Sequence, residues 1–258
     1  MESKKGRLQI AAQVYSVRQE AEADFAGVMA ALKEMGYDGV ELAGLYGKSP
    51  QEIKNCLDEA GLTAISAHVP YEEFVKDLEG TAKAYEEIGC KFAAIPSLSE
   101  ERRYGGGKYE ETIAFIPEIA KMCRNHGMQL LYHNHDFEFR KTEDGVYHLD
   151  QLYSTIPSED LATELDTCWV KVGGEDPAAY LKKYQNRCPL VHLKDFQKKD
   201  GKVELLALGE GEQELEELVE SAVLNGAQWF VIEQDDHLYG TPMGNMKKSI
   251  DCLKGILA

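Results

Sequence analysis

Basic residues are scarce in this chain. Its 28 lysines and arginines stand against 45 aspartates and glutamates, a formal net charge of −17 over 258 residues. Such a field repels phosphate backbones and anionic lipid, so nucleic acid and membrane surfaces are poor partners. It attracts divalent cations, although most of the acidic excess reads as solvated helix surface. Long apolar runs are also missing: none approaches the roughly 20 residues that cross a bilayer. The opening "MESKKGRLQIAAQV" has a basic start but leads into polar sequence, not a small-residue cleavage site. A cytoplasmic protein is the expectation. The six cysteines (Cys56, Cys90, Cys123, Cys168, Cys188 and Cys252) form no CxxC pair and read as reduced thiols, mostly in the core. No GxGxxG follows the first apolar run, which argues against an open dinucleotide-binding sheet. Gly105 to Gly107 lack the GK[ST] of a phosphate loop and read as a mobile connection.

What is present is alternation. Short apolar or β-branched runs occupy 8–14, 38–42, 63–68, 91–96, 129–135, 161–166, 189–195 and 229–235. Amphipathic segments lie between them at 22–35, 50–60, 71–88, 109–126, 177–185, 212–225 and 243–257. In the first, Phe25, Val28, Met29, Leu32 and Met35 recur at three and four, one face of a helix. Gly36, Gly61, Gly89, Gly127 and Gly226 stand where helices end and strands begin. Alternating βα units imply a parallel sheet. Eight of them in a chain near 250 residues fit a closed (β/α)8 TIM barrel, one α/β domain over 1–258. Asp144-Gly145 and Asp200-Gly201 each mark a hairpin in a long connection after a strand. In a barrel that is the catalytic face.

Charged and imidazole side chains recur at the C-terminal ends of these runs. Glu41 ends the second and His68 the third. The fifth ends in His133, Asn134 and His135, the sixth in Glu164 and Asp166. The seventh ends in His192, Lys194 and Asp195, the eighth in Glu233 and Asp235. A strand interior is a costly place for a charge, so the repetition predicts one axial pocket. Side chains alternate faces along a strand. His133 therefore shares a face with His135, Glu164 with Asp166, His192 with Lys194, and Glu233 with Asp235. Imidazole with carboxylate suits Mn²⁺, Zn²⁺, Co²⁺ or Fe²⁺ better than Ca²⁺. For a single strand-end histidine such as His68, a plain hydrogen-bonded role stands beside the functional one. Lys194 reads either as a surface ion pair or as a proton shuttle or oxygen clamp. His126 and His148 read as structural. Arg102 and Arg103 read as a surface charge run rather than a phosphate clamp.

In order and spacing, "QVYSVR", "MGYDGVELAG", "GLTAISAHVP", "ELDTCWVKVGGEDP", "VHLKDF" and "VIEQD" resemble the sugar phosphate isomerase/epimerase family of xylose isomerase-like TIM barrels. The resemblance runs over nearly the whole chain. It implies an enzyme acting on a sugar, keto-sugar or cyclitol by proton abstraction α to a carbonyl. Isomerisation or epimerisation is the first outcome, dehydration of an inosose or β-elimination from a 3-keto-glycoside the alternative. A non-catalytic sugar-binding barrel is a third. The family implies one divalent metal, Mn²⁺, Co²⁺ or Zn²⁺, on Glu, Asp, His and Glu of strands five to eight. Here the matching residues are His133, Asp166, His192 and Glu233, so His133 stands where many members carry a carboxylate. By the same resemblance Glu41, His68 and Asn134 are substrate contacts. Glu233 is the base, with His133, His135, Glu164 or Lys194 as its acid partner. A homo-oligomer accords with the family.

Overall fold

The computed structural model describes residues 8–258. Eight parallel strands close into a barrel: β1 (Gln9–Gln13), β2 (Gly39–Ala43), β3 (Thr63–His68), β4 (Phe92–Ile95), β5 (Gln129–His133), β6 (Ala162–Asp166), β7 (Leu190–Leu193) and, after an interposed hairpin, β10 (Trp229–Ile232). Each strand is hydrogen-bonded to its sequence neighbour in the barrel, and β1 closes the ring on β10. The eight expected strands are all present, so the fold expected from the sequence is the fold observed.

The hairpin is β8 (Asp195–Lys199) and β9 (Lys202–Leu206), antiparallel, with Lys199 opposite Lys202. Asp200 and Gly201 between them both have positive φ, 51° and 76°. Those angles suit a two-residue hairpin turn whose twist matches its strands. The run expected as 189–195 is thus split: the barrel strand stops at Leu193 and Asp195 begins the hairpin. Asp144-Gly145 lies in a longer turn, closed by a single bridge between Lys141 and Tyr147.

Two expected helices are each broken in two. The segment 22–35 is interrupted at Asp24, which separates an earlier helix, Arg18–Ala23, from Phe25–Met35. The segment 71–88 is divided at Asp77 into Tyr71–Lys76 and Leu78–Ile88. In both, the aspartate adopts an extended φ near −150° and accepts from a glycine amide three residues on, Gly27 or Gly80. A Cβ at either glycine would come within 2.2 Å of that carboxylate. Aspartate competes for backbone donors this way and so starts helices better than it continues them. Two short helices were not expected, His148–Thr155 and Thr167–Val172.

Strand alternation sets the barrel interior in layers. Ala11, Ile65, Phe92, Ala94, Leu131, Ala162, Leu190 and Val231 form a buried apolar layer. Two residues further along five of those strands come Gln13, His133, Glu164, His192 and Glu233, all buried. The apolar layer is the floor on which the polar layer stands. The large core outside the barrel, from Phe25, Met29 and Leu32 to Ile250 and Leu253, fixes the helices against the strands.

Candidate active site

The register brings the strand-end residues together. His133 on β5 is paired with Glu164 on β6, and Asp166 with His192 on β7. Glu164 is fully buried, and one of its oxygens receives three imidazoles: His68 Nε2 at 2.7 Å, His133 Nδ1 at 3.1 Å and His192 Nε2 at 3.3 Å. Glu41 lies beside it, 2.7 Å from His192 Nε2 and 3.3 Å from His68 Nε2. Gln13 donates to Glu41 from β1 at 2.8 Å. Sequence reasoning missed Gln13. Its polarity in an apolar run, two residues after Ala11, was the available signal.

A second group lies toward β10. Lys194 Nζ is 2.8 Å from Glu233, 2.9 Å from Asp235 and 3.1 Å from Asp166. Glu233 also lies 2.9 Å from His192 Nδ1. Burial alone would push the Lys194 ammonium to lose its proton, but Asp166, Glu233 and Asp235 outweigh it and hold the amine protonated. Lys194 is therefore a fixed buried cation and not the surface ion pair considered from the sequence. Burial likewise opposes ionisation of Glu233, yet Lys194 and His192 keep its carboxyl well below the usual range. Burial raises Asp235 to about 6. Burial holds His133 well below the usual imidazole range and His135 down to about 3. His68 and His192 go the other way, because the facing glutamates outweigh burial.

A cavity of about 620 Å³ opens above this layer, lined by His68, His133, His135, Glu233 and Asp235 among polar residues. Tyr15, Trp169, Val203, Leu205 and Leu238 give it an apolar wall. The hairpin β8–β9 supplies two of these, which its position after a barrel strand made legible in principle. Glu164, His192 and Lys194 are buried beneath the cavity and do not line it. Asn134, expected as a substrate contact, gives its amide to the backbone instead: its oxygen accepts from Asp166 N at 2.9 Å and its nitrogen donates to Asp166 O at 3.2 Å. It ties β5 to β6 and has no exposed surface. Arg102, expected on the surface, is buried over the Tyr71 ring and faces Glu72 and Glu111. Arg103 covers Phe137 at 3.4 Å. His126 pairs with Glu86, and His148 packs on Tyr104, as structural residues do.

The donor set fits a divalent cation. His133, Asp166, His192 and Glu233 bring one ligand atom each to within 4.8 Å of one another, and so do His68, His133, Glu164 and His192. Four ligands at about 2.0–2.2 Å in a tetrahedron lie about 3.3–3.6 Å apart, so a small rearrangement of the donors suffices. Glu41 Oε1 and Glu164 Oε1 are buried without a hydrogen-bond donor. A buried carboxylate oxygen left so is costly, and a cation beside it removes the cost.

Known proteins resemble this chain throughout. An inosose dehydratase of Geobacillus kaustophilus is 24% identical over 190 residues, 65% of this chain and 61% of its own. One from Clostridium beijerinckii is 28% identical, over 62% of this chain and 60% of its own. The matches thus span about three fifths of the length of these relatives. A crystal structure of a sugar phosphate isomerase/epimerase from Parabacteroides distasonis superposes with a TM-score of 0.81 at 21% identity, over 100% of this chain and 98% of the other. An L-ribulose 3-epimerase superposes at 0.73 with 13% identity, over 97% and 94%. These structural likenesses establish the fold. The family model for the xylose isomerase-like TIM barrel matches residues 29–256, nearly the full barrel, and the chain belongs to that family.

Proposed function

We propose that the protein is a divalent-metal-dependent enzyme that removes a proton α to the carbonyl of a sugar, keto-sugar or cyclitol. The observation that carries this reading is the pairing of an ionised Glu233, at the cavity surface, with a donor set fit for a cation beside it. When bound, a divalent cation supplies positive charge to an oxygen that becomes negative as the α-proton leaves. Its donors come from His133 and His192, common to both groups, completed by Asp166 and Glu233 or by His68 and Glu164.

Glu233 takes the proton. Lys194 holds that carboxylate ionised and oriented at 2.8 Å. Asp235 lines the same side of the cavity and shares Lys194 with Glu233. A base and an acid on one side can remove a proton and then protonate a departing hydroxyl on that side. This one-sidedness supports dehydration, and the inosose dehydratases among the relatives support it too. Epimerisation requires a donor on the opposite face. His135 reaches the cavity just past β5 and its Nδ1 is buried without a partner, but burial holds its imidazole down to about 3, so it is a poor proton donor and dehydration stays the favoured outcome.

The test is a panel of keto-sugars and inososes with Mn²⁺-, Co²⁺- or Zn²⁺-loaded protein in deuterated water, followed by proton NMR. Loss of an α-proton signal is expected with at least one member. Water loss then marks dehydration, and inversion with deuterium retained marks epimerisation. Protein that binds these compounds without exchanging any proton would leave only a sugar-binding barrel.

A further inference from the structure

The cavity above the polar layer is unevenly lined. His68, His133 and Glu233 give it a polar floor. Its wall over β7, β10 and β1, neighbours in the ring, is apolar. Val203 and Leu205 come from the hairpin, Leu238 from the loop after β10, and Tyr15 from the turn after β1. Alternation along β9 turns Val203 and Leu205 to one face. Glu204 faces the other way and accepts from Gln197 and the Tyr239 hydroxyl. Leu205 is buried, packed with Cys168 and Phe196. Leu238 and Tyr15, by contrast, are 63% and 41% exposed. Single exposed apolar side chains are ordinary, but a contiguous set beside a cleft marks a binding groove.

Charge and size narrow what the groove takes. Among the described residues, none lining the cavity is a lysine or arginine, whereas Glu73, Glu233, Asp235 and Asp236 are carboxylates. Two cations close by are committed elsewhere. Lys194 lies beneath, held by Asp166, Glu233 and Asp235. Arg18 lies 4.1 Å over the Tyr15 ring and donates to the carbonyls of Tyr15 and Asp235. A phosphate on the outer end of a sugar would therefore meet like charge and no guanidinium or ammonium partner. The volume of about 620 Å³ falls within the range of roughly 300–1,000 Å³ that holds a drug-sized ligand. A lone sugar ring on the polar floor would leave the apolar wall facing water.

Resting on the reading that the floor works on a sugar ring, we infer that this ring carries an uncharged apolar substituent, an alkyl or aryl aglycone, seated against Leu238, Val203 and Tyr15. The site then takes such glycosides in preference to phosphorylated sugars. Leu238 and Tyr15 set specificity by touching the substituent rather than the reacting carbon.

Calorimetric titration of the full chain with Mn²⁺ present tests this. The probes are methyl, hexyl and phenyl β-D-glucosides, the matching β-D-galactosides, and the 6-phosphates of glucose and galactose. In at least one series the phenyl member should bind roughly tenfold or more tighter than the methyl member, as burial of an aryl ring requires. The phosphates should bind more weakly than the methyl glycosides. Leu238→Ser, at an exposed position, should shrink the phenyl-to-methyl ratio by about threefold or more, and a thermal melt checks that the variant is folded. Equal binding of phenyl and methyl members, binding of neither, or a preference for the phosphates would overturn the inference. Sedimentation showing a dimer that Leu238→Ser dissociates would overturn it too, by giving the wall to a second copy of the chain. Proton exchange from unsubstituted keto-sugars with no phenyl gain would refute the subsite and leave the enzymatic reading standing. A phenyl gain without exchange from any keto-sugar would uphold the subsite and refute that reading.

Discussion

At the scale of the residue, Glu233 and Glu138 show how one side-chain type is set to opposite tasks. Glu233 sits against Lys194 and His192, which keep it ionised despite burial. Its removal as Glu233→Gln should lower turnover, or α-proton exchange into deuterated water, by about 10²–10⁴-fold, the range for losing a general base. The melting curve should remain that of a folded barrel, and a fully active variant would end the base assignment. Glu138 is buried away from the cavity, where it accepts from the Tyr132 hydroxyl at 2.6 Å and from His135 N at 2.8 Å. Burial raises it to about 7. Unfolded, the same carboxyl titrates at about 4.3. Between those values the folded chain binds more protons than the unfolded one. Stability contributed by this group is therefore present below about pH 4.5 and lost as pH rises to about 7, on the order of 3 kcal/mol in all. Glu138→Gln should flatten the pH dependence of the denaturation midpoint across that window. An unchanged slope would mean that the carboxyl titrates normally.

At the scale of the element, one carboxylate at the start of the hairpin β8–β9 clamps the loop that follows it. Asp195 accepts from the amides of Phe196, Gly209, Gly211 and Gln213 at 2.9–3.1 Å. Hydrogen bonds to a charged group are worth about 1.5–3 kcal/mol each, so Asp195→Ala should cost roughly 3–5 kcal/mol after partial replacement by water. Urea denaturation measures this, and faster amide exchange at Gly209–Gln213 localises it. A cost below about 1 kcal/mol would show that the loop stands without the clamp. The hairpin turn was legible because Asp200-Gly201 permits only a few backbone conformations. The clamp was not, because its partners lie up to 18 residues away in sequence. The same holds elsewhere. Eight strands were legible from alternating periodicity, which is local. The breaks at Asp24 and Asp77 were not, because the apolar stripe runs straight across them and only the capping geometry reveals the interruption. The strand-end residues were legible as a set. Their partition into two groups around His133 and His192 was not, since it depends on which ring nitrogen faces which strand across the barrel.

At the scale of the whole molecule, the net charge of −17 and the buried carboxylates act in the same direction. A compact state with that charge repels itself, and the polar layer concentrates part of the charge where water cannot screen it. A divalent ion that binds only the folded barrel relieves both. At a free concentration of about 100 times its Kd, linkage stabilises the fold by about 2.7 kcal/mol. For a chain of this size that corresponds to a rise in Tm of about 5–10 °C. Monovalent salt at equal ionic strength relieves only the screened surface repulsion, so it should give a smaller rise that saturates differently. The imidazoles must be neutral at the ligating nitrogen, so binding releases protons, and because His68 and His192 are held above the usual imidazole range the metal-dependent rise should already shrink as pH falls from 8 toward 5.5. Differential scanning fluorimetry of chelator-treated protein, with Zn²⁺, Co²⁺, Mn²⁺ or matched NaCl at pH 8 and pH 5.5, separates these contributions. A rise with NaCl equal to that with every divalent ion would assign the effect to surface charge alone. A divalent rise that persists undiminished at pH 5.5 would place the ion on carboxylates without the histidines.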